Sequence, residues 1–408
     1  TRCLSDWSSD VCSSDLNNSL AQALTDADGN LRIAPTKVEL PVGSFAFSVD
    51  ASQFHQHLDQ FEKFLSADTF GVRGVSRRNR EAGMGAPIIA VEKKPAEAPM
   101  FRSSPGTLFL RFKCTLQEID AGACNAALEL HSVYNQTEIT VDGQKIPLER
   151  DVTTQLAYTI GQPYVQSLGF NEFLHGTGYI KSGLFYMQPY EPDKIPIVLV
   201  HGTFSSPVAW AEMANTLRAD PIVNRKYQIW NFFYDSGKRI GASAHELREA
   251  LSAQVHQVDP EGTNAALRQM VVIGHSQGGL LTKLTAADTG DAFVRMATGK
   301  SLAQLDVSAE ERARLEKESV FTALPFVKRV VFIATPHRGS FLSKNWVRTL
   351  VLKMITLPKG VLQSTANLMH TIGRLGVSEA HAQQFVAATS LDAMSPDNPT
   401  LKDRKSVV

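Results

Sequence analysis

The second half of the chain carries four apolar runs, and three of them are followed by segments whose apolar residues have helical spacing. The runs read IPIVLV, YQIWNFFY, MVVIGH and RVVFIAT. Short continuous apolar runs are typical of parallel strands buried on both faces, and their alternation with helices predicts a βαβ sheet. Because ligands bind beyond the carboxyl ends of such strands, the residues that end each run are the candidates for chemistry.

The third run ends in GHSQGG, which places Ser276 in a G-x-S-x-G pattern between a strand and a helix. A nucleophilic serine needs its hydroxyl exposed on a sharp turn, and Gly274 and Gly278 let neighbouring backbone pass close to it. The helix that follows would direct free amides toward developing negative charge. Ser276 is the predicted nucleophile, and the alternative is a structural turn in which the serine is a spectator.

The first run ends in His201, Gly202 and Thr203, where the second donor of an oxyanion hole would lie. The backbone amide of Thr203 is the predicted donor, with Phe204 as an alternative. The other donor would be the amide of Gln277. His201 precedes the nucleophile, so we interpret it as a residue that fixes the loop rather than as the general base.

These motifs, HGT, GHSQGG and the later TPHRGS, resemble those of bacterial serine esterases and lipases of the α/β-hydrolase family over about residues 194–340. The resemblance implies a mostly parallel sheet flanked by helices, with a helical cap, and ester hydrolysis through an acyl-enzyme. It also implies a pocket lined by His201, His275 and His337. Serine, histidine and an acid suffice for this chemistry, so no metal or organic cofactor is expected.

The expected acid and histidine of a catalytic triad have no clear candidate after TPHRGS. They should follow two further strands, but residues 345–375 read instead as an amphipathic helical segment. That segment is interpreted as a packed cap or, alternatively, as a lid that contacts lipid. The downstream histidines His337, His370 and His381 do not follow a convincing late strand, and Asp392 and Asp397 are interpreted as capping or surface residues. We expect the triad acid and histidine beyond Lys402, which would leave residues 191–402 a C-terminally truncated hydrolase domain with little activity.

The region before the hydrolase-like domain is expected to contain a small antiparallel β module over residues 105–190. Its strand-like runs alternate apolar and polar residues, and a DG pair marks a hairpin turn. Residues 17–104 are expected to be helical or irregular, with a helix predicted from the spacing of Phe54, Leu58, Phe61 and Leu65. Cys114 and Cys124 flank a nine-residue stretch between strands and form either a disulfide or two buried thiols.

The two ends of the chain look unlike natural protein. DWSSDVCSSDL and DRKSVV both back-translate into stretches that resemble a common sequencing adapter. Residues 1–16 and 403–408 are therefore interpreted as adapter-derived and excluded from fold reasoning, and no ordered structure is expected for 1–16.

Composition limits the partners. The formal net charge is zero, and removing the two end stretches, which carry −2 and +1, leaves +1. A near-neutral chain argues against nucleic-acid binding, so the expected partner is a small-molecule or lipid ester, with peripheral membrane contact through the cap as a further hypothesis. Export to the bacterial envelope is a hypothesis from the cysteine pair and the resemblance. Acyl transfer and a non-catalytic scaffold are the alternative functions.

Overall fold

The computed structural model describes residues 26–337, except 41–42, 55–56, 73–74, 94–102, 116, 119–122, 135, 162–181, 204 and 206. The chain divides into two compact units, which are described separately. Unit 1 comprises residues 1–162 and 211–225, and unit 2 comprises residues 163–210 and 226–408. Among the described residues, no helix has the length and apolar character needed to cross a bilayer.

Unit 1 is built on a six-stranded sheet in the order β1-β2-β7-β6-β5-β3. These strands are β1 (Thr36–Leu40), β2 (Gly43–Gln53), β3 (Phe61–Ser66), β5 (Ala86–Glu92), β6 (Ser103–Phe112) and β7 (Ala123–Ser132). All neighbours pair antiparallel except β2 and β7, which run parallel. Two short pairs complete the described strands of the unit: β4 (Arg80–Glu81) with β10 (Arg150–Asp151), and β8 (Glu138–Val141) with β9 (Gln144–Pro147).

The predicted helix through Phe54, Phe61 and Leu65 is wrong. Phe54 directly follows β2, and Phe61 and Phe64 lie in β3, where both are buried. The pairing of β3 with β5 has a register shift between Phe61 and Lys63. Such a bulge lets residues three apart face the same side of a sheet, so a strand imitates helical spacing. The expectation of a helical or irregular segment over residues 17–104 is corrected accordingly, because the described β-structure begins at Thr36 rather than near residue 105.

The strands predicted downstream are present as β6, β7 and the β8–β9 hairpin. The DG turn of that hairpin has positive φ at both Asp142 (48°) and Gly143 (77°). Positive φ at both central residues matches the twist of the flanking strands in a type I′ turn, which explains the choice of Asp and Gly. Cys114 is disulfide-bonded, while the Cys124 side chain lies outside the described residues.

Two helices from later in the chain belong to unit 1. They are α2 (Ala211–Ala219) and α3 (Pro221–Lys226, of which residues 221–225 fall in unit 1), and they join α1 (Val152–Ile160). On α2, Asn215 is fully buried, accepts a hydrogen bond from the Thr153 hydroxyl (2.6 Å) and donates one to the Arg77 carbonyl (2.8 Å). The expected boundary between residues 190 and 191 therefore differs from the observed division.

Unit 2 contains the predicted α/β arrangement. Its described sheet has the order β11-β13-β12-β14-β15, made of β11 (Gly183–Tyr186), β12 (Ile195–Val200), β13 (Tyr227–Phe233), β14 (Met270–His275) and β15 (Val327–Ile333). The last four are parallel, and β11 is an antiparallel edge strand. The described helices of the unit are α4 (Ile240–Val258), α5 (Gln277–Leu284), α6 (Ala292–Thr298) and α7 (Ala309–Ser319).

The core of unit 2 explains why its strands read as continuous apolar runs. Val198, Trp230 and Val272 come from three neighbouring strands and are almost completely buried. Leu247 of α4 and Leu281 of α5 pack in the same cluster. Because residues of both parities along the strands are buried, the runs lack the alternation of a half-exposed strand.

Candidate active site

Ser276 occupies a strained turn between β14 and α5. Its φ of 51° and ψ of −122° lie in a region that non-glycine residues rarely adopt. Such a conformation costs on the order of 1–3 kcal/mol and persists only where the surroundings enforce it. Two hydrogen bonds do so, because the Ser276 amide donates to the Ile333 carbonyl (2.9 Å) and the Ser276 carbonyl accepts from Gly279 (3.1 Å). The half-buried serine thus sits at the carboxyl end of the sheet.

The glycines on each side of this turn are required by close packing. A Cβ at Gly278 would collide with the carbonyl oxygens of Val200 and His201, at the end of β12. A Cβ at Gly202 would lie 3.0 Å from the Cβ of Ser276. The loop after β12 and the turn after β14 are therefore in direct contact, which brings the HGT and GHSQGG motifs together.

His201 is buried beneath this loop, with 1% of its surface exposed. Its Nδ1 lies 2.9 Å from the Gly202 carbonyl, and its Nε2 lies 3.3 Å from the Tyr234 amide. Both contacts fit a neutral ring with the proton on Nδ1. Its ring also stacks on that of Tyr234, with centroids 4.4 Å apart, and the Tyr234 hydroxyl donates to the His201 carbonyl.

The electrostatics of His201 follow from this burial. Desolvation lowers the pKa of His201 to about 4, against the smaller opposing effect of the hydrogen bond to the Gly202 carbonyl. A neutral ring with both nitrogens engaged cannot accept a proton from serine, so its geometry fits a residue that fixes the loop. Its ring is buried rather than exposed to an open pocket.

Gln277 and Thr203 meet through their side chains. The Thr203 hydroxyl donates to Oε1 of Gln277 (2.5 Å), and Nε2 of Gln277 donates to the Ser236 carbonyl (3.2 Å). No acceptor within the described part of the chain binds the backbone amide of either Thr203 or Gln277. Gln277 is the first residue of α5, where an amide has no partner inside the helix. Among the described residues, neither of the two amides predicted as donors therefore has an acceptor.

The other predicted residues are placed less directly. His275 is exposed and meets Trp210 edge-on, with ring centroids 6.3 Å apart. His337 is half-buried and packs edge-on against Phe332 at 4.6 Å. Phe204 lies outside the described residues. The candidates at His370, His381, Asp392 and Asp397 and the cap over residues 345–375 do so as well.

Within the described residues, no imidazole or carboxylate forms a hydrogen bond with the Ser276 hydroxyl. The same part of the chain contains no group of three His, Cys, Asp or Glu side chains arranged to hold a metal ion.

Sequence reasoning did not identify two residues that hydrogen-bond to His201 and Gln277. Tyr234 and Ser236 follow β13, and both form hydrogen bonds with residues around Ser276. Their position in the sequence could have indicated them, because they lie just after an apolar run that was predicted to be a strand of a parallel sheet. HGT and GHSQGG have recognisable patterns, whereas YDS after the second run has none.

No protein-family model and no curated protein matches this chain. Among solved structures, it is similar to the Bacillus licheniformis lipase BlEst2. The propeptide form is 21% identical over 41% of this chain and 29% of that protein, with a TM-score of 0.25. The mature form is 17% identical over 52% of this chain and 68% of that protein, with a TM-score of 0.26.

A further similar structure is esterase B from Lactobacillus rhamnosis, inhibited by a tributyrin phosphonate. It is 15% identical over 42% of this chain and 49% of that protein, with a TM-score of 0.26. The chain thus spans less than a third of the first of these proteins. With TM-scores this low, the functional proposal below depends on the site's own geometry.

Proposed function

We propose that the protein is a serine ester hydrolase of the α/β-hydrolase kind, with Ser276 as its nucleophile. The observation that carries the proposal is the strained backbone of Ser276 between a central parallel strand and a helix, in contact with Gly202. This geometry exposes a serine oxygen at the edge of the sheet where ligands bind.

In the proposed reaction, Ser276 Oγ bonds to the carbonyl carbon of an ester, and the carbonyl oxygen takes up negative charge. The amides of Thr203 and Gln277 donate to that oxygen, with the α5 N-terminus adding a favourable field. The proton that Ser276 gives up passes through the triad histidine to the leaving alcohol as the bond to the alcohol breaks. Water then attacks the acyl carbon, its hydroxyl completes a carboxylic acid, and its other proton returns to Ser276 Oγ as the acyl–serine bond breaks. We propose that the acid and the histidine of the triad come from residues outside the described part of the chain.

The direct test is an assay of ester hydrolysis by the complete protein. Assays with p-nitrophenyl butyrate and p-nitrophenyl palmitate compare wild type with Ser276→Ala, which should lose at least about a thousandfold in kcat because no other nucleophile replaces the hydroxyl. Ser243→Ala is the matched control, since Ser243 is a buried serine of α4 and not of the turn.

A fluorophosphonate probe, which reacts covalently with activated serines, should label wild type and Ser243→Ala but not Ser276→Ala. Equal turnover or equal labelling in Ser276→Ala would rule the proposal out. A complete protein without turnover or labelling would support a non-catalytic scaffold. Ester formation with an added alcohol in place of hydrolysis would indicate acyl transfer.

A further inference from the structure

Gln277 has a side chain whose surroundings are unusual for an amide. It is fully buried at the start of α5, directly after the proposed nucleophile. A buried amide without partners is costly, so its hydrogen bonds define where it can sit. Those bonds reach two other loops: Thr203 lies in the loop after β12, and Ser236 lies after β13. One side chain therefore connects the carboxyl ends of three adjacent strands.

We propose that the Gln277 side chain is a positioning residue that sets the distance between the two oxyanion donors. This inference rests on the proposed function and deepens it. One donor amide belongs to Gln277 itself, and the other belongs to Thr203. The side chains of the same two residues are joined by a hydrogen bond of 2.5 Å. Fixing that bond fixes the relative position of the two backbone amides. The bond to the Ser236 carbonyl prevents the side-chain amide of Gln277 from rotating away from Thr203.

The contact between Gly202 and Ser276 explains why the position of the loop after β12 matters for the proposed reaction. Gly202 packs against Ser276, and Thr203 is the next residue. A shift of the loop after β12 would move the Thr203 amide relative to the carbonyl oxygen of a bound ester. A misplacement of about 1 Å can cost on the order of a hundredfold in rate, because the donors act only at the position where charge develops. The hydrogen bond between Thr203 and Gln277 is therefore expected to act on kcat rather than on KM.

The test is a double-mutant cycle in the complete protein with p-nitrophenyl butyrate as substrate. Gln277→Met keeps the size of the side chain and removes both polar groups, and Thr203→Val removes the hydroxyl. Each single variant should lower kcat by about 10- to 100-fold, with KM changed less than about threefold. The double variant should be no slower than the slower single variant, because both remove the same interaction. Thr203→Ser keeps the hydroxyl and should recover most of the activity that Thr203→Val loses.

The matched control is Thr285→Val. Thr285 is also fully buried on the α5 side of the sheet, and its hydroxyl donates to the Thr282 carbonyl (2.7 Å). Thermal unfolding is measured for every variant, since a purely structural role would lower the melting temperature of Gln277→Met and Thr285→Val alike without a selective loss of kcat. If Gln277→Met does not fold, Thr203→Val decides, because Thr203 is only half-buried.

The outcomes separate this proposal from the one on which it rests. Wild-type turnover with loss in Ser276→Ala, together with unchanged kcat in Thr203→Val and Gln277→Met, would overturn the positioning role and leave the hydrolase standing. Additive losses in the double variant would also overturn it, since independent effects do not pass through one bond. Turnover that survives Ser276→Ala would overturn both proposals.

Discussion

At the scale of single residues, His201 illustrates how burial decides what a histidine can do. A histidine at a strand end near a serine is a natural candidate for a base, yet its ring is enclosed and both nitrogens face backbone groups. Burial holds the pKa of His201 near 4, against 6.5 for a free ring. Protonation would place an unpaired charge in the interior, so folding is coupled to the neutral form.

This coupling predicts a dependence of stability on pH. The unfolded state binds a proton at His201 below about pH 6.5, whereas the folded state does so only near pH 4. The contribution of the neutral His201 ring to the free energy of unfolding is therefore complete above pH 6.5 and is lost as the pH falls. The loss approaches ~3 kcal/mol at pH 4. Urea unfolding of wild type and His201→Asn between pH 4 and 7 measures it, and the variant should show the flatter slope.

The exposed His256 of α4 supplies the control for that experiment. His256→Asn replaces a histidine at an exposed position by the same residue, asparagine, and shows how the slope responds to that change alone. Equal slopes for wild type and His201→Asn would contradict the burial argument.

The residue scale also sets the limit of prediction for the site. Ser276, Thr203 and Gln277 could be proposed from the sequence because each lies in a motif at the end of a strand. The hydrogen bond from the Gln277 side chain to Ser236 was not, since it joins residues 41 positions apart and leaves no periodic signal. The side-chain role of Gln277 is therefore visible only in three dimensions.

At the scale of elements, periodicity predicted the strands and turns whose residue pattern depends on that element alone. It failed where the pairing of two strands changed the spacing of the buried residues. The strands of unit 2 were predictable because burial on both faces produces apolar runs, and the turn at Asp142 and Gly143 because positive φ selects those residues. The strand β3 was not predictable, because Phe54, Leu58, Phe61 and Leu65 have helical spacing in the sequence, although Phe61 and Leu65 lie in a strand that is bulged against β5.

The packing of α5 on β12 gives a prediction at this scale. Gly278→Ala places a methyl group against the carbonyl oxygens of Val200 and His201, so α5 must move away from the sheet. We expect a loss of ~1–3 kcal/mol in the free energy of unfolding, together with lower kcat because Ser276 moves with the helix. Urea unfolding and the ester assay measure the two effects.

Gly71→Ala serves as its control, because a Cβ there meets no atom within 4 Å. That variant should lie within about 0.5 kcal/mol of wild type. A Gly278→Ala protein of wild-type stability and rate would show that the helix can adjust without cost.

At the scale of the whole molecule, unit 1 is assembled from two separate stretches of the chain. Residues 211–225 leave unit 2 after Trp210, and the chain returns to unit 2 at Lys226, where β13 begins one residue later. The helical spacing of the segment that forms α2 was visible in the sequence, but periodicity indicates a helix and not the element against which it packs. The domain boundary could not be placed from composition for this reason.

The division predicts how fragments behave. A protein of residues 26–162 joined by a Gly/Ser linker to residues 211–225 should unfold at a higher temperature than residues 26–162 alone. Without α2, the buried Thr153 hydroxyl loses its acceptor on Asn215. Thermal unfolding and protease resistance compare the two. Asn215→Ala in the joined fragment should remove much of the difference, and equal melting temperatures for all three would contradict the assignment.

The return of residues 211–225 to unit 1 also has a consequence for synthesis on the ribosome. Domains usually fold one after another as the chain emerges. Here the apolar strand Ile195–Val200 of unit 2 leaves the exit tunnel before the helices that complete unit 1 have emerged from it. The nascent chain must therefore hold an unpaired, aggregation-prone strand while its first unit is still unfinished, so translation speed and chaperone access between residues 195 and 225 become determinants of yield.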